Sequence, residues 1–548
     1  MTDGHAGTHA VAVAQRHGVD TMFTLSGAHV FPMYDGAVSA SPPMRLLDVR
    51  HEQTAVFGAE GLAKLTRRPG FAVVTAGPGV TNTVSAVTTA HFNGSPLVVL
   101  GGRAPDYRWG QGALQELDHP PLLAPVTKWA ATVHTPAAVP RELDVAFTLA
   151  GAAHRGPVFL DVGMDQLFSR ADVELPDPPP RLTVVPDPDD VAAAARRLAQ
   201  AQRPVLVLGG DVWMDGAVDA ARRLVGAVGL PVIANGMGRG VIDPASAHLV
   251  TRARGQAFGA ADLVVVVGAP LDFRLGYGRF GGADGAPEAQ VVHVVDADDQ
   301  LARHVELTVG VAGDLSAALD GIREAWEQEI RQTDVSGWLT GLQAAATAAR
   351  AADAELLASP ADPIHPARIY GELVPRLADD AVVIGDGGDF VSFAGRFVEP
   401  RLPGRWLDPG PFGCLGTGLG YAVAARLTHP GAQVVLLLGD GAAGFSLMDV
   451  DTLVRHRLPI VMVVGNNGVW GLEKHPMNFL YGYDVVADLT PGTRYDEVVR
   501  ALGGGGETVT RPDEIGPALD RAFASGIPYL VNVLTDPGVA YPRSTTGV

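Results

Sequence analysis

Short apolar runs, each far too brief to cross a membrane, recur along this chain and alternate with stretches of helical spacing. Phe71 to Val74, Leu97 to Leu100 and Val158 to Val162 come first, then Val205 to Leu208, Leu263 to Val267 and Val291 to Val295. Ala381 to Ile384, Val434 to Leu438 and Ile460 to Val464 follow. A run that is apolar at every position must be buried on both faces, which is the pattern of a parallel strand covered by helices. Two breaks punctuate the alternation: the proline-rich Glu174 to Asp190, and the Ala-rich helix Leu342 to Leu357 with Ser359-Pro360-Ala361-Asp362-Pro363 after it. The expected organisation is therefore α/β, with doubly wound parallel-sheet domains over residues 1–175, 189–345 and 364–548. In such sheets ligands bind beyond the carboxyl ends of the strands, where the strand order reverses.

Composition narrows the function classes. With 41 Lys and Arg against 60 Asp and Glu, the formal charge of −19 argues against general nucleic-acid binding. The single cysteine, Cys414, excludes an intrachain disulfide and a cysteine-based metal centre. Met1 to Ala14 lacks the basic region and apolar core of a secretory leader, so the expectation is a cytoplasmic protein without a membrane segment.

Chemistry is concentrated at the ends of the strand-like runs. Gly439-Asp440-Gly441 follows one run and Asn466-Asn467 the next, with Phe445 to Arg457 spaced as a helix between them. This places a carboxylate and a carboxamide at adjacent strand ends, beside a turn whose amides can seat a diphosphate. Hard divalent cations take oxygen ligands and share their coordination sphere with phosphate and water. In the first segment, Glu52 of His51-Glu52-Gln53 stands where a strand gives way to a helix. Alone, it would serve the helix dipole. Two further strand ends, Leu25-Ser26-Gly27-Ala28-His29 and Thr75-Ala76-Gly77-Pro78-Gly79-Val80-Thr81-Asn82, bring a histidine and a glycine-rich wall to the same cleft.

With the HEQ glutamate, GPGVTN, GDG…NN and this domain order, the chain resembles the thiamine-diphosphate-dependent superfamily of acetohydroxyacid synthase, benzaldehyde lyase and 2-hydroxyacyl-CoA lyase. The resemblance implies pyrimidine-binding, central nucleotide-binding-like and diphosphate-binding domains, in that order. It implies that Glu52 hydrogen-bonds the cofactor's aminopyrimidine and promotes the tautomer that activates the thiazolium carbon. Gly27, Gly77, Pro78 and Asn82 would line the pyrimidine side. Asp440, Asn467 and the Val469 carbonyl would hold Mg²⁺ on the diphosphate. Gly387, Gly388 and Asp389 of Gly385-Asp386-Gly387-Gly388-Asp389 would line its loop together with Gly441 and Ala442. Leu415 takes the place of the apolar wedge that bends the cofactor, and the Gly413 carbonyl would accept from its amino group.

The branch is read from other residues. Gln115 matches an active-site glutamine and His29 the benzaldehyde lyase histidine, and Leu114 replaces a bulkier aromatic, which implies room for a branched substrate. Met164 stands where synthases carry Lys, and Pro476 where they carry Trp. Trp470 and Glu473 look more like the decarboxylase and acyl-CoA lyase branches, with Glu473 as a proton relay. Arg405 and Arg543 are candidates for the phosphates of an acyl-CoA. The resemblance thus favours a lyase that cleaves a 2-hydroxyacyl-CoA to formyl-CoA and an aldehyde or ketone. The alternative is an acetohydroxyacid (acetolactate) synthase joining two 2-ketoacids. Gly236 to Gly240 and Asp296 imply ADP or FAD in the central domain, and the family pattern implies a homodimer or homotetramer with active sites between subunits. The polar Ala540 to Val548 implies a closing lid.

Overall fold

The computed structural model of the chain describes residues 2–180, 182–285 and 287–541. It contains three parallel-sheet α/β domains. The N-terminal sheet runs Arg45–Asp48, Thr21–Thr24, Gly70–Val74, Leu97–Arg103, Pro157–Gly163, Trp129–Val133. The C-terminal sheet runs Trp406–Leu407, Val382–Asp386, Val434–Gly439, Val461–Asn466, Tyr529–Leu534, Gly505–Val509. Counted within each domain, both follow the order 2-1-3-4-6-5. The central sheet, Val232–Ala234, Pro204–Leu208, Leu263–Val267, Gln290–Val295, Val309–Ala312, follows 2-1-3-4-5. In each sheet the order reverses beside its first strand, so the loops after the first and third strands diverge and leave a crevice.

The apolar runs are buried as their composition requires: Val434 to Leu438 and Val461 to Val464 lie wholly inside. The segment Phe445 to Arg457, spaced as one helix, is in fact two. Asp440–Ser446 and Val450–Arg455 are separated by a tight turn at Leu447–Asp449. The break has a physical cause in the buried Asp449 carboxylate. It accepts from the Arg50 amide at 2.7 Å, Thr54 Oγ1 at 2.6 Å and Thr452 Oγ1 at 2.9 Å, so the turn is pinned to the N-terminal domain. Among the described residues, no helix is long and apolar enough to cross a membrane.

The N-terminal domain is clamped to the central one by Arg155, from the loop before Pro157–Gly163. Its guanidinium is buried among Asp215 at 3.0 Å, Asp296 at 3.2 Å and Asp211 at 3.5 Å. Burial, followed by the charge of Asp296, pushes the Asp211 carboxyl up to about 6. Arg155→Ala would remove the cation these three carboxylates share, leaving Asp296 to His154 and Asp215 to the Leu315 amide, at a cost of about 3–5 kcal/mol. The expected result is an apparent melting temperature several degrees lower, with partial recovery in Arg155→Lys, read by calorimetry.

Candidate functional site

The crevice of the C-terminal sheet is a pocket of about 220 Å³ lined by Gly387, Gly388, Asp389, Gly413, Leu415, Asp440, Gly441, Ala442, Asn467, Val469, Trp470 and Glu473, among others. Backbone geometry explains its glycines. Gly387, at φ 90°, turns the chain from strand into the helix Gly388–Phe397, and a Cβ there would fall 2.5 Å from that of Ala442. Gly441 must be glycine because the Trp470 ring lies where its Cβ would be, at 2.4 Å. Gly413 and Gly439 face open space.

Asp440 is buried at the start of its helix, and burial lifts its carboxyl to about 6. Backbone amides offset part of that cost: Gly468 N–H donates to Oδ2 at 2.7 Å and Gly441 N–H to Oδ1 at 3.1 Å. Asn467 Oδ1 accepts from the Val469 amide at 3.1 Å. A buried carboxylate without a cationic partner, a carboxamide oxygen and a carbonyl-bearing loop on one wall form an oxygen-donor set that suits a hard divalent cation. The helix start at Gly387–Gly388, beside the uncrowded Gly413 and Gly439, suits the diphosphate it would bridge. The neighbouring Asn466 serves the fold instead, donating to Thr493 O at 2.9 Å and Asn532 Oδ1 at 3.1 Å.

Asp386, read in the sequence as part of the diphosphate loop, turns away from the pocket. It is buried and accepts from Gly416 N–H at 3.0 Å and Gly418 N–H at 2.9 Å, and burial raises its carboxyl to about 6. It therefore sets the loop that carries Leu415 without touching what the loop holds. Its place between two glycines at a strand end gave no sign of this. Asp389 stays at the pocket and accepts from the Tyr541 amide at 3.1 Å, while Arg543 lies outside the described residues. Arg405 is displaced from the site. It precedes Trp406, which pairs with Val383, and so lies near the amino ends of the strands, opposite the pocket.

The N-terminal crevice gathers the other candidates. Glu52 is buried at the start of the helix Glu52–Thr66 and accepts from Asn82 Nδ2 at 3.0 Å. His29 is buried, and its Nδ1 lies 2.9 Å from Thr75 Oγ1. Burial holds His29 below its usual range. Gly27 packs on the same Thr75, where a Cβ would fall 2.2 Å from Thr75 Cβ. Gln115 abuts Gly77, with Pro78 leading the short helix Pro78–Thr81. Leu114 beside it is 77% exposed. Within one chain, Glu52 is not among the residues lining the Asp440 pocket, whose wall is built from the C-terminal domain. The link between the two crevices is Gln53 Nε2, which donates to Leu415 O at 3.4 Å.

The central crevice is a larger cavity, about 690 Å³, shared by all three domains. Asp296, the carboxylate expected to take ribose hydroxyls, is already bound by His154 Nδ1 at 2.8 Å and Arg155. Gly238 and Gly240 are packing glycines, since Cβ atoms there would strike the Leu208 and Leu402 carbonyls at 2.0 and 2.2 Å. Arg239 is spent on Gly395 O and Val398 O. The cavity has the volume for ADP or FAD; Asp296 is engaged, while Asp299, just past the same strand end, lines the cavity.

Comparison with known proteins agrees with this geometry. Models of the N-terminal TPP-binding, central and C-terminal TPP-binding domains of thiamine pyrophosphate enzymes match residues 5–122, 191–322 and 386–533. Over 544 residues the chain is 51% identical to a probable acetolactate synthase of Mycobacterium bovis, covering 98% of this chain and 97% of that protein. An acetolactate synthase large subunit of Mycobacterium tuberculosis matches with the same identity and coverage. Human 2-hydroxyacyl-CoA lyase 2 is 32% identical over 577 residues, 97% of this chain and 90% of its own.

Were a cation to take the donor set around Asp440, that carboxyl would set the pH dependence of its binding. Its raised value means that it keeps a proton up to about pH 6, and a bound cation must displace that proton. Affinity should therefore rise with pH through this range, weakening roughly tenfold from about pH 7 to about pH 5. Mn²⁺ titration of the apoprotein by electron paramagnetic resonance measures it, and Asp440→Asn should remove both the tight site and its pH dependence.

Proposed function

Because the chain belongs to the thiamine pyrophosphate enzymes, we propose that it is a carboligase of the acetolactate synthase type, joining two 2-ketoacids with loss of carbon dioxide. The observation that carries this reading is 51% identity to acetolactate synthases along almost the whole of both chains, with the cation and diphosphate wall intact. Thiamine diphosphate, when bound, supplies a nucleophilic carbon and an electron sink. The rest is the work of this chain's side chains. Asp440, Asn467 and the Val469 carbonyl would hold Mg²⁺ against the diphosphate, and Leu415 would set the cofactor's bend from the loop that Asp386 pins. Glu52, buried and oriented by Asn82, would share a proton with the aminopyrimidine ring. Gln115 and His29 would orient the substrate's oxygens. Since Glu52 stands outside the Asp440 pocket of its own chain, the complete site would join the N-terminal domain of one subunit to the C-terminal domain of another, in a dimer or a pair of dimers.

A second reading, cleavage of a 2-hydroxyacyl-CoA to formyl-CoA and a carbonyl compound, has its own support. Trp470 and Glu473 line the pocket beside Asp440, and Pro476 falls within the helix Gly471–Tyr481 where a synthase Trp was expected. Two assays on the holoenzyme separate the readings. Acetolactate formed from pyruvate alone supports the first, whereas formyl-CoA released from a 2-hydroxyacyl-CoA without acetolactate activity replaces it with the second. In either case Glu52→Gln should lower turnover at least about 100-fold, with cofactor affinity retained by fluorescence titration.

A further inference from the structure

Behind the N-terminal wall lies a buried polar chain that the reaction as proposed does not use. His119 is fully buried, and its two ring nitrogens are both engaged. Nε2 lies 3.0 Å from the Gly77 amide nitrogen, and Nδ1 lies 2.9 Å from Asp161 Oδ2. A backbone N–H can only donate, so Nε2 must present its lone pair, and the ring proton sits on Nδ1 facing the carboxylate. Asp161 is itself fully buried on the strand Pro157–Gly163. Its other partner is Arg103 Nη1 at 3.2 Å, and the Arg103 guanidinium lies over the Trp109 ring at 3.6 Å.

What this chain holds in place is strained. Gly77 has φ 59°, and Gln115, a residue with a side chain, has φ 60°. The two pack back to back, so that a Cβ on Gly77 would fall 2.8 Å from that of Gln115. Left-handed backbone at a non-glycine residue persists only where its surroundings over-determine it. The loop then runs on through Gly79, where a Cβ would fall 3.8 Å from Glu52 Oε1, to Asn82, which donates to Glu52. A single imidazole, four residues beyond Gln115, thus braces the backbone that carries both.

We propose that His119 is a positioning residue, a neutral imidazole of fixed tautomer whose bond to the Gly77 amide holds the Gly77–Gln115 wall in its reactive geometry. The inference rests on the proposed roles of Glu52 and Gln115. Two substitutions divide its hydrogen bonds. His119→Asn puts an amide donor near Nδ1 and keeps Asp161 satisfied, but offers nothing to the Gly77 amide. His119→Gln reaches Gly77 with its carbonyl.

In whichever turnover assay the wild type passes, His119→Asn should lower kcat about tenfold or more. KM and the affinity for thiamine diphosphate with Mg²⁺ should stay unchanged, melting temperature should fall no more than the loss of one buried hydrogen bond implies, and His119→Gln should restore most of the rate. Nitrogen-15 spectra of the wild type should show the Nδ1–H tautomer. Wild-type kcat in His119→Asn, an Nε2–H tautomer, or equal losses of kcat and melting temperature in both variants would overturn the inference. Glu52→Gln in the same assay separates the two failures. If it stays active, the proposed wall itself is wrong; if it is inactive while His119→Asn is not, only the role of His119 falls.

Discussion

Everything at the two outer crevices depends on one close crossing, the helix Glu52–Thr66 against the helix Thr417–Thr428. Glycines make the approach possible. A Cβ on Gly420 would sit 2.6 Å from that of Phe57, and one on Gly61 would sit 3.0 Å from Ala424 and the Tyr421 ring. At the crossing, Glu60 is fully buried and accepts from Tyr421 OH at 2.8 Å, Asn93 Nδ2 at 2.8 Å and Ser95 Oγ at 3.0 Å. A carboxylate taken out of water is tolerated only when its oxygens are matched in this way. Because one helix begins at Glu52 and the other just after the loop of Leu415, the crossing fixes the two outer domains of a chain against each other, and so sets where each presents its half of the proposed site, before any ligand arrives.

The same logic places the remaining buried acids outside the chemistry. Asp449 gathers donors from Arg50, Thr54 and Thr452, Asp386 caps Gly416 and Gly418, and Asp161 orients His119. Each fixes a loop from behind and presents nothing to the pocket. Asp440 differs from them in lining the pocket, with open space beside Gly439. Asp386, also held by backbone donors but with no face on the pocket, can only hold its loop, whereas Asp440 is placed to meet a cation in the proposed chemistry.

The strands, the sheet class and the meeting of Asp440, Asn467 and Val469 at one pocket were legible in the sequence because each is local. An apolar run declares burial on both faces, and Gly439-Asp440-Gly441 declares a turn at a strand end. The turn at Leu447–Asp449 was not legible, because its cause is a hydrogen bond to Thr54, some four hundred residues away in sequence. Nor was the inward direction of Asp386, since a strand-end aspartate between glycines has the same local signature whether it meets a ligand or a backbone. Arg405 misled for a related reason: an arginine shows its charge in sequence, but not which end of the sheet it stands at. The glycines at Gly238 and Gly240 spelled a ligand loop and serve instead as points where backbones touch.

The shared strand order gives these details a common origin. The outer sheets both run 2-1-3-4-6-5, so each opens its crevice beside its first strand, and the residues there differ in kind. One crevice offers a helix start and a buried carboxylate, which suit a diphosphate and a cation. The other offers Glu52, His29 and Gln115, which suit an uncharged ring and a reacting carbonyl. A ligand with an anionic tail and a neutral heterocyclic head would need both surfaces at once. Within one chain the first pocket is walled by the C-terminal domain alone. The division of labour between two copies of one topology is thus what makes a second subunit part of the proposed chemistry, beyond any role in stability.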